Sequence, residues 1–167
     1  MPDVYVVLRI VEEVAPEKLE GILHSGFDVN TCDGHGDSVL SHALRVYMTD
    51  EYDPDTLACL PRNPQALRQV AILLEHGADV NAPIFKGNTP LHFAVAHSGR
   101  KADKPLLKLL LKHGADVTRK NSHKFTPLDL HHGPEVEALI REFEQQAASE
   151  PIASRMQPPA RNISPAG

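Results

Sequence analysis

One phrase is written twice in this chain: Glu75-His76-Gly77-Ala78-Asp79-Val80-Asn81 returns as Lys112-His113-Gly114-Ala115-Asp116-Val117-Thr118. Each copy follows an apolar run, residues 70–74 and 106–111, and a looser third copy, Gly26-Phe27-Asp28-Val29-Asn30, stands near the start. Repetition at a few tens of residues limits the fold sharply. A single unit cannot bury its own apolar face, so neighbouring units must stack into a solenoid with one continuous core.

A second set of residues lies between the copies. It reads Gly87-Asn88-Thr89-Pro90-Leu91-His92-Phe93-Ala94 in the middle, Thr126-Pro127-Leu128-Asp129-Leu130 later, and Gly36-Asp37-Ser38-Val39-Leu40-Ser41-His42-Ala43 earlier. Thr89 is suited to a helix N-cap, with its hydroxyl taking an orphan backbone N–H, and Pro90 to the first helical position, where the missing donor costs nothing. Gly77 and Gly114 follow helical apolar runs at the place where a left-handed C-cap favours glycine. Helices therefore start at this second set and stop at the repeated phrase.

With these motifs the chain resembles the ankyrin-repeat family. The resemblance covers residues 1–147, weakening at both ends. It implies an all-α fold: an α-solenoid of about four helix-pair units with projecting β-hairpin loops, and nothing catalytic. It also implies a role for His92, whose imidazole in such repeats ties neighbouring loops by hydrogen bonds.

The signature recurs at Ser38, Thr89 and Thr126, wider apart than the ankyrin period of about 33 residues. Residues 30–38 match 81–89 without a gap, so the surplus falls between the two helices of a repeat: a long insertion at 49–63 and a short one at 98–104. The units are then 1–30, 31–81, 82–118 and 119–148. Helices are expected over 3–14 and 16–24, 39–48 and 64–76, 90–97 and 105–113, and a shortened 127–131 with 134–148. Leu73 and Leu109 are placed in the buried seam between pairs. Residues 149–167 hold four prolines and little apolar content and are read as a disordered tail.

Composition narrows the function. The 167 residues include no tryptophan, 5% aromatics and a net charge of −5, which suits stacked aliphatic repeats and lacks the basic stripe of a nucleic-acid binder. No membrane-spanning run and no cleavable leader are visible, and two cysteines fit a reducing compartment, so a cytoplasmic location is expected. Of ten histidines, only Cys32-Asp33-Gly34-His35 and His131-His132 form tight groupings, and neither has structural-zinc spacing. No metal, cofactor or catalytic residue is expected.

A partner protein is expected instead, held on hairpin tips and the concave helix face of a chain monomeric when free. The candidate contacts are His35 and Asp37 from the first hairpin, Ile84, Phe85, Lys86 and Asn88 from the second, His97 from a helix end, and His123 and Phe125 from the third. Ile84 and Phe85 are large apolar residues where the family usually has polar ones. Either a neighbouring loop covers them or they anchor a partner. Residues 49–55 gather four carboxylates around Tyr52, a solvated loop or a docking element. Two further readings stay open: an immunity or inhibitor protein plugging a toxin or enzyme with that acidic insertion, and an enzyme built on His35, His97 and His123.

Overall fold

The structure, a computed structural model, describes residues 3–48, 63–96, 104–130 and 134–149. Among them seven α-helices follow one another: α1 (Val4–Glu12), α2 (Pro16–His24), α3 (Val39–Met48), α4 (Pro64–Glu75), α5 (Pro90–Ala96), α6 (Lys104–Lys112) and α7 (Pro134–Ser149). α1 pairs with α2, α3 with α4 and α5 with α6, while α3 also packs on α1, α2 on α4 and α6 on α7. The result is an all-α ankyrin-type solenoid.

Local chemistry sets the helix limits. α2, α4, α5 and α7 begin at a proline, whose fixed φ suits the first turn, and Asn63 caps α4 by accepting the amide of Gln65 at 2.9 Å. α4 ends at Gly77, where φ is +89°, and α6 at Gly114, where φ is +86°. In each case the following alanine amide returns to a carbonyl five residues earlier, Ala78 to Leu73 at 3.0 Å and Ala115 to Leu110 at 3.1 Å.

The shortened fourth pair departs from expectation. Among the described residues its first member is a 3₁₀ turn, Leu128–Leu130, resting on α5. Asp129 explains the brevity: its Oδ2 accepts both the amide and the hydroxyl of Thr126 at 2.7 Å, satisfying the turn locally.

The core is one aliphatic seam. Leu19, Leu73, Leu91, Leu106, Leu107 and Leu110 are fully buried. Leu109, expected in this seam, is only partly buried, because 106, 107 and 110 form the inward face of α6. The insertion at 49–62, His97 and residues 98–103, His131-His132 and the tail from 150 lie outside the described residues.

Candidate functional site

Three loops with one backbone design project from the stack. In the first, Asp33 N–H donates to Asp37 O at 2.9 Å and Gly36 N–H to Asp33 O at 3.0 Å; in the third, Asn121 N–H donates to Phe125 O at 2.9 Å and Lys124 N–H to Asn121 O at 3.0 Å. The middle loop repeats the pattern with Ile84 N–H to Asn88 O at 2.6 Å and Gly87 N–H to Ile84 O at 3.1 Å. Asp33, Ile84 and Asn121 are thus one position seen three times.

Two of the three staple their own loop. Asp33 Oδ1 accepts the amides of His35 at 2.8 Å and Asp37 at 3.0 Å, and Asn121 Oδ1 accepts those of His123 at 2.9 Å and Phe125 at 3.1 Å. Ile84 has no oxygen to offer. In its loop Lys86 sits at φ +58°, left-handed, a conformation that costs a residue with a Cβ about 1–2 kcal/mol. The Ile84 side chain is partly buried and packs on the core instead.

Ties between loops also repeat. Asn30 Nδ2 donates to Gly77 O at 3.1 Å and its Oδ1 accepts Asp79 N–H at 2.9 Å; Asn81 does the same to Gly114 O at 3.2 Å and Asp116 N–H at 2.8 Å. The series stops at Thr118, which turns to Asp116 in its own loop. These two asparagines were legible in the repeated phrase, but their reach into the next repeat was not.

His92 behaves as the resemblance implies. Its Nδ1 accepts the Thr89 amide at 3.1 Å, so Nε2 carries the proton and donates to Phe125 O in the next loop at 3.0 Å. The Thr89 hydroxyl lies 2.8 Å from the same Nδ1, so it donates to the ring rather than accepting a backbone N–H, a correction to its expected capping role. Ser41 holds the matching place in the first repeat, and its hydroxyl reaches only Ser38 O at 2.7 Å.

Between the first and second loops opens a cleft of about 740 Å³. Leu44, Met48, Pro83, Ile84 and Phe93 give it apolar walls; His35, Asp37, Ser41 and Arg45 give it polar ones. Three expected contact residues, His35, Asp37 and Ile84, therefore meet at one place. Lys86 and Asn88 face the third loop, with Lys86 O accepting Ser122 N–H at 3.1 Å and Asn88 Oδ1 accepting Asn121 Nδ2–H at 2.8 Å. His123 and Phe125 are exposed on that third loop, Phe125 by 49%. Nothing is described of the Phe85 side chain, and His97 is outside the described residues.

Sequence reasoning missed the polar network behind the cleft. A guanidinium can only donate, so Arg45 Nη2 donates to His42 Nδ1, and His42 Nε2–H donates to Asp33 Oδ2 at 3.0 Å. Arg45 also lies 3.8 Å from Asp37 Oδ2. The amide of Asp37 foremost, with the His42 and His35 bonds behind it, holds the Asp33 carboxyl down at about 2. Asp33, Asp37 and His42 are close enough to suggest a cation site. The hydrogen bonding does not fit one: a metal on Nε2 would move the proton to Nδ1, donor against donor with Arg45.

The histidines offer no shared catalytic centre among the described residues. His35 and His123 hold the same position in the first and third loops, with the middle loop between them. His24 and His76 lie edge to face with ring centroids 5.1 Å apart, each donating Nδ1–H to a helix carbonyl, Glu20 O and Ile72 O. Burial foremost, with Lys112 nearby, lowers the His113 pKa.

Stacked helix pairs with stapled, laterally tied loops define a repeat-protein binding scaffold. The chain carries ankyrin repeats: the family model for ankyrin repeat matches residues 86–122, and that for ankyrin repeats (many copies) matches 62–102. It is 40% identical to the mouse B-cell lymphoma 3 protein homolog over 84 residues, half of this chain and 18% of that protein. It is 34% identical to potassium channel AKT1 of Arabidopsis thaliana over 96 residues, 56% of this chain and 11% of the relative. Against the putative ankyrin repeat protein FPV233 of fowlpox virus it is 37% identical over 93 residues, 55% of this chain and 14% of that one. The chain thus spans less than a fifth of each of these curated relatives. Among solved structures, the ankyrin repeat domain of Bcl-3, a member of the IkappaB protein family, superposes with a TM-score of 0.62 at 29% identity, covering 81% of this chain and 50% of that one. Ankyrin repeats serve generally as protein-interaction modules rather than catalysts.

Proposed function

We propose that this chain is a non-catalytic module that holds a partner protein on its loop face, centred on the cleft between the first and second loops. The observation that carries the reading is the meeting of His35 and Asp37 from one loop with Ile84 from the next around an apolar hollow. Ligand sites are concave, mostly apolar and edged by a few placed polar groups, and this cleft has that make-up. A rigid stack would lose little entropy on docking. A cytoplasmic setting is part of the same reading and rests on the sparse cysteine usage.

Site-specific photo-crosslinking in cells tests it. A photoreactive side chain at His35 or Lys86, on the loops, should capture a protein that the same group at Lys108, exposed on α6, does not. Capture from Lys108 alone, or equally from all three, would move the interface off the loop face.

A further inference from the structure

Two histidines outside the loop face stand at helix ends in successive units, and there they meet. His24 ends α2, His76 is the C-cap of α4, and α2 packs on α4. Each ring donates Nδ1–H to the carbonyl four residues back, Glu20 O at 2.8 Å and Ile72 O at 2.9 Å. A carbonyl only accepts, so in the neutral rings the proton sits on Nδ1 and both Nε2 atoms keep a lone pair. A single histidine placed this way caps a helix end. Two side by side have the arrangement of metal-binding histidines, whose second nitrogen is held by a backbone carbonyl or a carboxylate.

Their spacing fits one ion between them. With Zn–N bonds of about 2.0–2.1 Å, two imidazoles on a tetrahedral zinc have ring centres about 5.2 Å apart. Those of His24 and His76 lie 5.1 Å apart, with planes crossing at 80°, an angle that rotation about metal–nitrogen bonds leaves free. His24 is exposed and His76 half-buried, so an ion can reach both. His113 holds the same place after α6, and among the described residues its ring touches neither. Residues 3–48 carry eight carboxylates against three lysine and arginine side chains, which makes this end of the chain attractive to a cation. Among the described residues no third histidine, cysteine or carboxylate joins the pair. Two positions of a tetrahedral ion are thus left to water or to a donor atom of a bound molecule.

We propose that His24 and His76 form a two-histidine site for a borderline divalent cation, zinc foremost, which staples α2 to α4 through both Nε2 atoms. Imidazole suits zinc, copper and nickel, whereas magnesium and calcium want oxygen, so the ligand type sets the selectivity. The ion joins the first unit to the second repeat away from the loop face, and the site stands apart from the partner reading above. Acid releases it, since an imidazolium has no lone pair to give. The expectation of no metal rested on groupings close in the chain; residues 24 and 76 come together only by stacking.

The test titrates zinc chloride into the full, untagged chain and follows the histidine ring nitrogens by NMR, with magnesium chloride as the control. One zinc per chain should bind and shift Nε2 of His24 and His76, while His35, His42, His92 and His123 keep their positions and magnesium does nothing. His24→Gln and His76→Gln should each weaken zinc binding about tenfold or more, because losing one ligand ends the chelate. Melting in EDTA reports whether each variant is folded, and zinc should then raise the melting temperature of the wild type but of neither variant. The wild-type spectra decide the matter even where a variant fails to fold. Zinc that shifts other histidines first, that shifts only one of the pair, that binds equally after either substitution, or that leaves both Nε2 atoms unmoved would overturn the proposal and reduce the two rings to helix caps in contact.

Discussion

The junction between the second and third loops is closed, and the junction between the first and second is open. Four contacts seal the former: His92 to Phe125 O, Asn88 to Asn121, Lys86 O to Ser122 N–H, and the close approach of Gly87 to Ser122, where an added Cβ would lie 2.9 Å from Ser122 Oγ. The latter has the asparagine tie of Asn30 at its base and a cleft above it. A Cβ at Gly36, the position matching Gly87, would meet nothing within 4 Å. The same scaffold is thus a clamp at one step and leaves a cleft at the next. The difference traces to few residues: serine for histidine at 41, and isoleucine for an amide or acid at 84.

If that contrast is sound, removing the clamp should hurt far more than removing its counterpart. His92 is fully buried and satisfies Thr89 and Phe125 together, so His92→Ala should cost about 2–4 kcal/mol in urea denaturation, against less than about 1 for Ser41→Ala. Similar losses would show that the two junctions are energetically alike.

Glycine substitutions probe the same contrast by shape. Gly87 and Gly36 both have positive φ, +69° and +85°, so alanine strains either backbone by about 1 kcal/mol. Only Gly87→Ala also forces Ser122 away, and its melting temperature should fall several degrees further than that of Gly36→Ala. Equal falls would mean that the third loop is free to give way.

Asn30→Ala and Asn81→Ala serve as the control, since each removes the same pair of bonds at the base of one junction. Each should cost about 1–2 kcal/mol, and a marked inequality would place the asymmetry at the base rather than at the tips.

The smallest effect is one of pH. Asp33 titrates at about 2 in the fold, below its ordinary 3.8, so what it contributes is fully present above pH 3.8 and is lost as pH falls through about 2. NMR amide shifts of His35 and Asp37 should follow that titration, while those of His123 and Phe125, stapled by the neutral Asn121, should show no matching step. Asp33→Asn should erase the step in the first loop. A first-loop midpoint near 3.8 would show that the amides do not hold the carboxylate.

Much of the fold was readable because it is local and periodic. Glycines at 77 and 114, prolines at 16, 64, 90 and 134, and the leucine runs mark where helices start, stop and bury their faces, within one or two residues of the observed ends. The last pair was overread because Asp129 makes a short turn self-sufficient. Of the candidate contacts, His35, Asp37 and Ile84 meet at the cleft, whereas Lys86 and Asn88 belong to the seal with the third loop. Aligning the loops without a gap was enough to mark Ile84 as odd. It could not tell whether that side chain faced water, a neighbouring loop or a hollow.

The sequence by itself determined the repeat, the helix ends, the loop backbone and the histidine that ties one loop to the next, because each depends on residues close in the chain or on a motif copied along it. Tertiary structure decided which junction opens. Leu44, Met48 and Arg45 of one repeat meet Pro83, Ile84 and Phe93 of the next only after stacking, and whether two apolar surfaces fuse or leave a cleft depends on the fit of side chains tens of residues apart, which no local pattern encodes.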